Sequence, residues 1–354
     1  MKAGYRKERI DRGIKARTDD IFAVSSYREM LYLAGPRILA IAALLIYPLL
    51  IGFTGIYWQT VIFITCIIAL LTLSWNLLFT VGLVSLGQAF FFGVGAYFTG
   101  FFDRTLGLAP IFSIPLATLA GAVLCTLLIY PVLRMRGIYF ALITFALPLF
   151  LMRTIEATRI LGGTEGISGL QRLPGITFSL YVSVIVVLLV TFIYLRLIDT
   201  DYGLVLRAIH DNDMTVLASG LSVQLYKAQA VFIAALPATF AGAMMTLHYR
   251  IVGMPAFSVE YSILPLTAAV VGGTGTFAGG VLGAFIIVPF SEMLRAFGTL
   301  RIVMYGIMLI FFVVGLPEGI YRFFQRKYFQ IERTVPLEET KHEQKRAFES
   351  NRSL

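Results

Sequence analysis

Long apolar runs alternate with short polar stretches along most of this chain. Each run approaches the roughly 20 residues that a helix needs to cross the hydrocarbon core of a bilayer. The pattern therefore predicts about ten membrane-spanning helices and an all-α polytopic membrane protein. The predicted spans lie near Arg37 to Gly55, Thr60 to Thr80, Leu83 to Phe102, Ala109 to Leu133, Ile138 to Ile155, Phe178 to Leu195, Ala228 to Leu247, Tyr261 to Val271, Gly279 to Phe297 and Ile302 to Leu316.

A polar segment from Ile198 to Gln229 interrupts this pattern and predicts two short amphipathic helices. The first covers about Tyr202 to Ile209, and the second about Met214 to Ser219 before a stop at Gly220. Candidate N-cap residues are Asp199, Thr200 or Asp201 for the first helix and Asp211 or Asp213 for the second. Their apolar residues are Leu204, Leu206, Ile209, Met214, Leu217 and Leu221. Such helices, projecting from a membrane protein, are typical of segments that dock into the groove of a soluble partner.

Composition and charge support the membrane assignment. Hydrophobic residues make up 58% of the chain, which is more than a soluble protein of 354 residues can bury. The net charge is +9, but nine of the 29 Lys and Arg precede Ile38 and eight follow Tyr321, which is the distribution of cytosolic flanks rather than of a nucleic-acid surface. We therefore expect a cytosolic N-terminal segment (1–36), a membrane domain (37–320) and a cytosolic tail (321–354).

An even number of spans puts both termini on one side of the membrane, and the basic tails at both ends place that side in the cytosol. The polar segment 198–229 then also falls in the cytosol. Arg134 and Arg136 fall on the same side. The opposite side receives Asp103, Arg104 and the Gly-rich loop from Thr158 to Ile176.

Two Gly-rich stretches are candidates for the translocation path. The stretch from Gly82 to Gly100 combines glycines with uncharged polar residues deep in an apolar run, and its candidates are Ser85, Gly87, Gln88 and Gly93. Irregular backbone at membrane depth is tolerated only where protein or water satisfies it, so this pattern favours a broken helix that lines a polar path. The second stretch, VGGTGTFAGG, contributes Gly272, Gly273 and Thr274. Its row of Gly275, Gly279 and Gly283 favours ordinary close helix packing.

Several classes of chemistry lack their residues here. No G-x-x-x-x-G-K-[ST] loop occurs, so ATP must bind elsewhere. No metal-binding helix of the H-E-x-x-H type and no Ser-His-Asp set is present, and Cys66 and Cys125 both lie in apolar runs. We expect no catalytic residue, no metal and no cofactor on this chain.

Five motifs in order resemble the permease subunits of branched-chain amino acid ABC importers, most closely the M-type subunit. They are VSLGQAFFFGVGAY, LRMRGIYFALITFAL, LGGTEGISGL, YGLVLRAIHDNDMTVLASGLSVQLYKAQAVF and VVGGTGTFAGGVLGA, which together span about Leu73 to Arg322. Where that family commonly has His, this chain has Gln88, and bulkier residues occupy Met214 to Val216.

The resemblance implies a type II importer-like permease with two pseudo-repeated halves in the bacterial inner membrane. Its implied partners are two ABC ATPase subunits that bind ATP, a homologous second permease and a periplasmic substrate-binding protein. The residues expected to couple this chain to the ATPase are Leu204, Arg207, Ile209, Asp213, Leu217, Gly220, Leu221, Tyr226 and Lys227.

Other functions remain open from the sequence. Urea and short-chain amide permeases share much of this pattern, so the motifs do not fix the substrate. A secondary transporter would need a coupling-ion site, for which backbone carbonyls near Gly272 to Gly275 are available. A channel would leave the polar segment 198–229 unexplained, and a membrane enzyme would need catalytic groups that the chain lacks.

The predicted topology is testable at Ser222, which falls in the segment assigned to the cytosol. A single cysteine introduced there, Ser222→Cys, should resist a membrane-impermeant thiol reagent in intact cells and react after the cells are opened. Labelling in intact cells would contradict the topology.

Overall fold

The structure, a computed structural model, describes residues 5–9, 35, 38, 41, 42, 46, 55–135, 137–294, 298, 300–315, 318–329 and 332–336. Most of the predicted first span, and Arg136, lie outside these residues. The chain divides into two units, one of residues 1–40 and 322–354 and one of residues 41–321. In the first unit, β1 (Tyr5–Arg9) pairs antiparallel with β4 (Glu332–Pro336).

Helices dominate the second unit, which confirms the predicted all-α class for the described residues. In chain order the helices are α1 Ile56–Thr80, α2 Gln88–Leu106, α3 Pro110–Ile129, α4 Ile138–Thr158, α5 Ile176–Ile198, α6 Asp201–Asp211, α7 Asp213–Ala218, α8 Val223–Tyr249, α9 Glu260–Gly272, α10 Phe277–Met293, α11 Leu300–Gly315 and α12 Gly319–Phe329, of which α12 continues past Tyr321, where the second unit ends. Short 3-10 turns cover Tyr130–Arg134, Ile160–Gly162 and Met254–Phe257. The strands β2 (Ile167–Ser168) and β3 (Ile251–Val252) form one small antiparallel pair.

Six helices in the described part of the chain are long and apolar enough to cross a membrane. They are Ile56–Thr80, Pro110–Arg134, Ile138–Thr158, Ile176–Ile198, Val223–Tyr249 and Met254–Gly272. A shorter apolar helix covers Phe277–Met293. The protein is therefore a polytopic membrane protein. The predicted count of about ten spans exceeds these six.

Helix α1 lies at the centre of the second unit. It is apolar all round and almost fully buried, which is the pattern of a helix that other helices surround. Helix α8 packs against α1, α2 and α3. Close approach between α2 and α8 depends on small residues, because a Cβ added at Gly95 would collide with the backbone of Thr239, and one at Gly242 with the carbonyl of Phe92.

Helices α9 and α10 form a hairpin whose backbones nearly touch. A Cβ at Gly283 would collide with the carbonyl oxygen of Ala268, and one at Gly272 with that of Gly279. The expected packing role of Gly279 and Gly283 is thus seen directly. Gly275, the remaining residue of the predicted row, lies instead in the turn before α10, with a φ of 73°.

The loops gather at two ends of the second unit. At one end, Arg104 at the end of α2 donates to the carbonyl of Ser168 (3.2 Å), and Arg250 at the end of α8 donates to that of Leu170 (3.1 Å). At the other end, Nδ1 of His210 in α6 lies 2.9 Å from the carbonyl oxygen of Phe79 near the end of α1. We call these ends the β2–β3 face and the α6 face. The predicted order of spans also puts the loops near Arg104, Ser168 and Arg250 on one side of the membrane and those near Phe79 and His210 on the other. Which of the two faces is cytosolic stays a prediction.

The α9–α10 contact predicts a steep cost for one methyl group. Gly283→Ala should lower the melting temperature of the purified protein, since the added Cβ forces two helix backbones apart. Gly306→Ala in α11 is the matched control, because nothing lies within 4 Å of its Cβ position. There the better helix propensity of alanine should leave the melting temperature unchanged or higher. Equal effects of the two substitutions would contradict the described packing.

Candidate functional site

The first candidate site is the helix pair α6 and α7. Helix α6 begins after Thr200, whose Oγ1 accepts from the backbone N–H of Gly203 at 3.5 Å, so Thr200 is the cap among the three predicted residues. Gly203 is essential to this corner, because a Cβ there would collide with the backbone of Ile198. The chain therefore turns sharply from the membrane helix α5 into α6.

The cap of α7 differs from the prediction. Asn212 caps this helix, with its Oδ1 accepting from the N–H of Met214 at 2.9 Å, so the prediction of Asp211 or Asp213 is wrong. The backbone is extended at Asn212, and that position sets the cap. Asp213 instead forms an ion pair with Lys227 in α8, at 2.8 Å between Oδ2 and Nζ.

The apolar residues of α6 and α7 divide into two sets. Leu206 and Ile209 are buried within the chain and hold α6 to the other helices. The exposed set, which we call the coupling surface, consists of Leu204, Met214, Leu217 and Leu221, of which Leu204 is 67% exposed. An apolar surface outside the membrane spans is typical of a site that another protein covers.

Three further contacts fix α6 and α7 in place. The Asp213–Lys227 pair is mostly buried, so removal of either partner would leave an uncompensated charge. Phe79 accepts a hydrogen bond from His210, whose Nδ1 must therefore carry the proton. The rings of Tyr202 and Tyr226 lie 5.7 Å apart.

The predicted coupling residues thus play different structural parts. Arg207, Leu204, Leu217, Gly220 and Leu221 are exposed, Tyr226 is half-buried, and Ile209, Asp213 and Lys227 face the protein interior or anchor the helices. Gly220 has a φ of 82°, which confirms the expected left-handed stop after α7.

The second candidate site is the irregular segment 81–87 between α1 and α2. Helix α2 begins only at Gln88, so residues 83–87 of the third predicted span are not helical, and a broken helix that lines a path stays a prediction. The chain returns alongside α1, and Trp75 Nε1 donates to the carbonyl of Ser85 at 2.8 Å. Since Trp75 lies five residues before the end of α1, the segment reaches about 7 Å back along that helix.

Side chains from several helices satisfy the backbone of this segment. Thr144 in α4 accepts from the N–H of Leu86 at 3.2 Å, and Ser262 in α9 accepts from that of Ala89 at 3.1 Å. The hydroxyl of Ser85 accepts from the N–H of Gly87 at 3.2 Å. Gly87 lies so close to α4 that a Cβ would collide with the carbonyl of Thr144. Protein groups therefore replace the helical hydrogen bonds that the break removes.

Gln88 has an amide that is only half satisfied. The side chain is fully buried, and its Oε1 accepts from the hydroxyl of Ser74 at 3.1 Å. Its Nε2 has no hydrogen-bond partner among the described residues. A buried donor without a partner costs about 1–3 kcal/mol, so a group that accepts from Nε2 would be favoured here.

The other predicted path residues lie in packed surroundings. Gly93 is covered by the ring of Phe257, which a Cβ would overlap. Gly272, Gly273 and Thr274 lie at the end of α9 and in the turn to α10, on the α6 face. Gly273 has a φ of 124°, and a Cβ added there would lie 3.2 Å from the carbonyl oxygen of Glu318.

Three consecutive residues of α1, Ser74, Trp75 and Asn76, organise both Gly-rich stretches. We call them the α1 polar triplet. Asn76 Oδ1 accepts from the N–H of Gly275 at 3.1 Å, and its Nδ2 donates to the carbonyl of Thr276 at 3.2 Å. The sequence reasoning missed these residues, although a run of Ser, Trp and Asn inside an apolar span is itself a signal.

The described residues contain no group of three or more His, Cys, Asp or Glu side chains placed to hold a metal ion. Cys66 and Cys125 are buried free thiols.

Comparisons with known proteins converge on transport permeases. Residues 57–313 match the family described as "Branched-chain amino acid transport system / permease component". The chain is 27% identical to the high-affinity branched-chain amino acid transport system permease protein LivM of Escherichia coli strain K12, over 84% of this chain and 76% of that protein. It is also 28% identical to the probable branched-chain amino acid transport permease protein LivH of Methanocaldococcus jannaschii, over 72% of this chain and 88% of that protein. No solved structure matches the chain.

Proposed function

We propose that this chain, which belongs to the family of permease components of branched-chain amino acid transport systems, forms the translocation path for branched-chain or other hydrophobic amino acids. The family match and the apolar helices establish a membrane permease. The finer proposal is an ATP-binding-cassette importer of the bacterial inner membrane, with about ten spans in two pseudo-repeated halves and both termini cytosolic. ATP is bound by partner subunits.

The proposed complex contains two ATPase subunits, a homologous second permease and a periplasmic substrate-binding protein. This chain is similar to both a LivM and a LivH protein, so these two kinds of permease are related to each other. That relationship supports a complex in which this chain pairs with a second, homologous permease. The coupling surface supports an ATPase partner. Its exposed leucines lie on helices that are held to α1 by the His210–Phe79 hydrogen bond and to α8 by the mostly buried Asp213–Lys227 pair. A displacement of α6 and α7 would therefore act on the membrane helices.

The observation that carries the path assignment is the free donor on Gln88. A branched-chain amino acid is a zwitterion with an apolar side chain, and its carboxylate accepts hydrogen bonds. Gln88 Nε2 offers one uncharged donor, which gives a brief contact instead of a tight ionic trap. Urea and short-chain amides also present an acceptor oxygen, so a urea or amide permease is the alternative within the same fold.

A secondary transporter receives less support. A sodium site in the α9–α10 turn would need free backbone carbonyls. Within the candidate stretch, the carbonyl of Gly273 already accepts from both the hydroxyl of Thr276 at 2.6 Å and its backbone N–H at 3.2 Å, which uses both lone pairs. The neighbouring carbonyl of Thr276 accepts from Asn76. These carbonyls stabilise the turn itself.

The coupling proposal predicts a specific loss of assembly. Leu217→Asp should lower recovery of the ATPase subunit on affinity pull-down, and also uptake, by about tenfold or more, since a carboxylate in an apolar groove costs upwards of ~1.4 kcal/mol. Thr215→Asp is the matched control, because Thr215 is exposed on α7 and points about 160° away around the helix. Gly220→Trp should also impair coupling, through strain at a positive φ.

Both variant permeases should insert normally in the membrane. Undiminished ATPase recovery together with normal uptake in Leu217→Asp and Gly220→Trp would contradict the coupling assignment.

The path proposal predicts that uptake and stability respond in opposite ways at Gln88. Gln88→Leu keeps the volume roughly constant but removes the free donor, so uptake should fall about tenfold while the complex stays assembled and its melting temperature is unchanged or higher. Ser74→Ala is the control, since it breaks the Ser74–Gln88 hydrogen bond and leaves Nε2 in place. Both quantities are measured on the same purified, reconstituted variant. Unchanged uptake with raised stability in Gln88→Leu would mean that Gln88 serves packing alone.

A further inference from the structure

A short segment of the chain lies across the end of α2 at the β2–β3 face and has no assigned role. We call residues 166–171, in the loop between α4 and α5, the strap. Its strand β2 pairs with β3, so that Ile167 lies opposite Val252 and Ser168 lies opposite Ile251. The side chains of Ile167 and Val252 are buried, whereas Ser168 and Ile251 are exposed. The strand pair therefore has one side that faces the protein and one that faces outward.

The strap is tied to the ends of two helices by bonds to its backbone. Arg104 of α2 and Arg250 of α8 donate to its carbonyls at 3.2 and 3.1 Å. Asp103 of α2 accepts from the backbone N–H of Gln171 through its Oδ2 at 2.9 Å. Water can replace each of these bonds at a small net cost once the strap separates from the helices. The strap is thus held by exchangeable contacts rather than by interlocked helix backbones.

The chain that pairs with the strap fills a trough along α2. Four residues share one face of this helix, at intervals of four, three and four positions, and they are Gly93, Tyr97, Gly100 and Arg104. Val252 of β3 fills the space over Gly100, where an added Cβ would lie 2.8 Å from its Cγ1. Phe257, in the 3-10 turn after β3, fills the space over Gly93, a predicted path residue. Residues 251–257 therefore close the trough between Gly93 and the β2–β3 face.

The closed arrangement also contains features that favour its opening. Arg159 and Leu161, on the approach to the strap, have φ angles of 54° and 58°, and Arg250, just before β3, has a φ of 61°. Left-handed backbone is costly for residues with a Cβ. Beneath the strap, Oδ1 of Asp103 is buried without a hydrogen-bond partner among the described residues, and separation of the strap would hydrate it. Burial of Ile167 opposes these terms, so the segment is poised between two states.

We propose that segment 251–257 is a gate of the translocation path at the β2–β3 face and that the strap is its latch. With β2 and β3 paired, Val252 and Phe257 occupy the trough. When the two strands part, these side chains leave, and the trough beside Gly93 receives the apolar side chain of an amino acid. This proposal rests on the proposed function, because it needs a path that runs along α2.

A disulfide across the strand pair tests the gate. Opposed residues on antiparallel strands have Cβ atoms about 4.5–5.5 Å apart, close to the geometry of a disulfide. Ser168→Cys combined with Ile251→Cys should, once oxidised, lower leucine uptake by the reconstituted complex about tenfold or more, and a reductant should restore uptake. Each single variant is a control and should transport normally under the same oxidant. Normal uptake by the fully crosslinked protein would overturn the proposal.

The accessibility of Val252 tests opening independently of the substrate. Val252→Cys places a thiol where the side chain is 3% exposed. A hydrophilic maleimide should label it about tenfold faster in the complex during ATP hydrolysis than without ATP. The native Cys66 and Cys125 are buried and set the background. Equal rates with and without ATP would overturn the gate even where leucine is taken up. Labelling that depends on ATP, without leucine uptake, would support the gate and contradict the proposed substrate.

The latch is tested in the same labelling assay. Arg104→Ala removes the donor to Ser168, so without ATP the Val252→Cys thiol should be labelled about fivefold faster, the size of one hydrogen bond. Arg172→Ala is the matched control, because Arg172 is an exposed arginine that follows the strap in the chain. It should leave the labelling rate unchanged. Equal rates in the two variants would show that Arg104 does not hold the strap, and the latch would be wrong.

Discussion

A backbone N–H or C=O group inside a bilayer needs a partner within the protein, and this requirement shapes the whole second unit. The chain leaves helical geometry at segment 81–87 and again at the α9–α10 turn. The α1 polar triplet meets the requirement at both places, through Trp75 at Ser85 and through Asn76 at Gly275 and Thr276. Ser74 adds the contact to Gln88. One buried helix thereby holds two irregular segments of the chain in place.

The same helix connects the candidate path to the candidate coupling site. Phe79, one turn beyond the triplet, accepts the hydrogen bond from His210 in α6, and the Cα of that histidine lies 3.3 Å from the ideal Cβ position of Gly82. A displacement of α6 therefore acts on the end of α1 and on the start of segment 81–87. This short connection is the physical basis on which the proposed coupling to ATP hydrolysis rests.

The sequence predicted the elements well and their partners poorly. Apolar run length located the six long apolar helices of the described residues, because that signal is local. The third predicted span, Leu83 to Phe102, is not among these six, and helix α2 begins only at Gln88. Which of several adjacent residues caps a helix depends on where the backbone turns, so Asn212 was missed in favour of its acidic neighbours. Burial of Ile209 and the bonds of Asn76 to residues about 200 positions away arise only from tertiary packing.

Amide hydrogen exchange on the reconstituted protein tests the role of the α1 polar triplet most directly. If each residue holds its own segment, Asn76→Leu should speed exchange in residues 273–276, by about tenfold at Gly275 for ~1.4 kcal/mol lost, and leave residues 83–87 protected. Trp75→Phe should produce the reverse pattern. Unchanged exchange in both variants, or the same pattern of deprotection in both, would contradict the account.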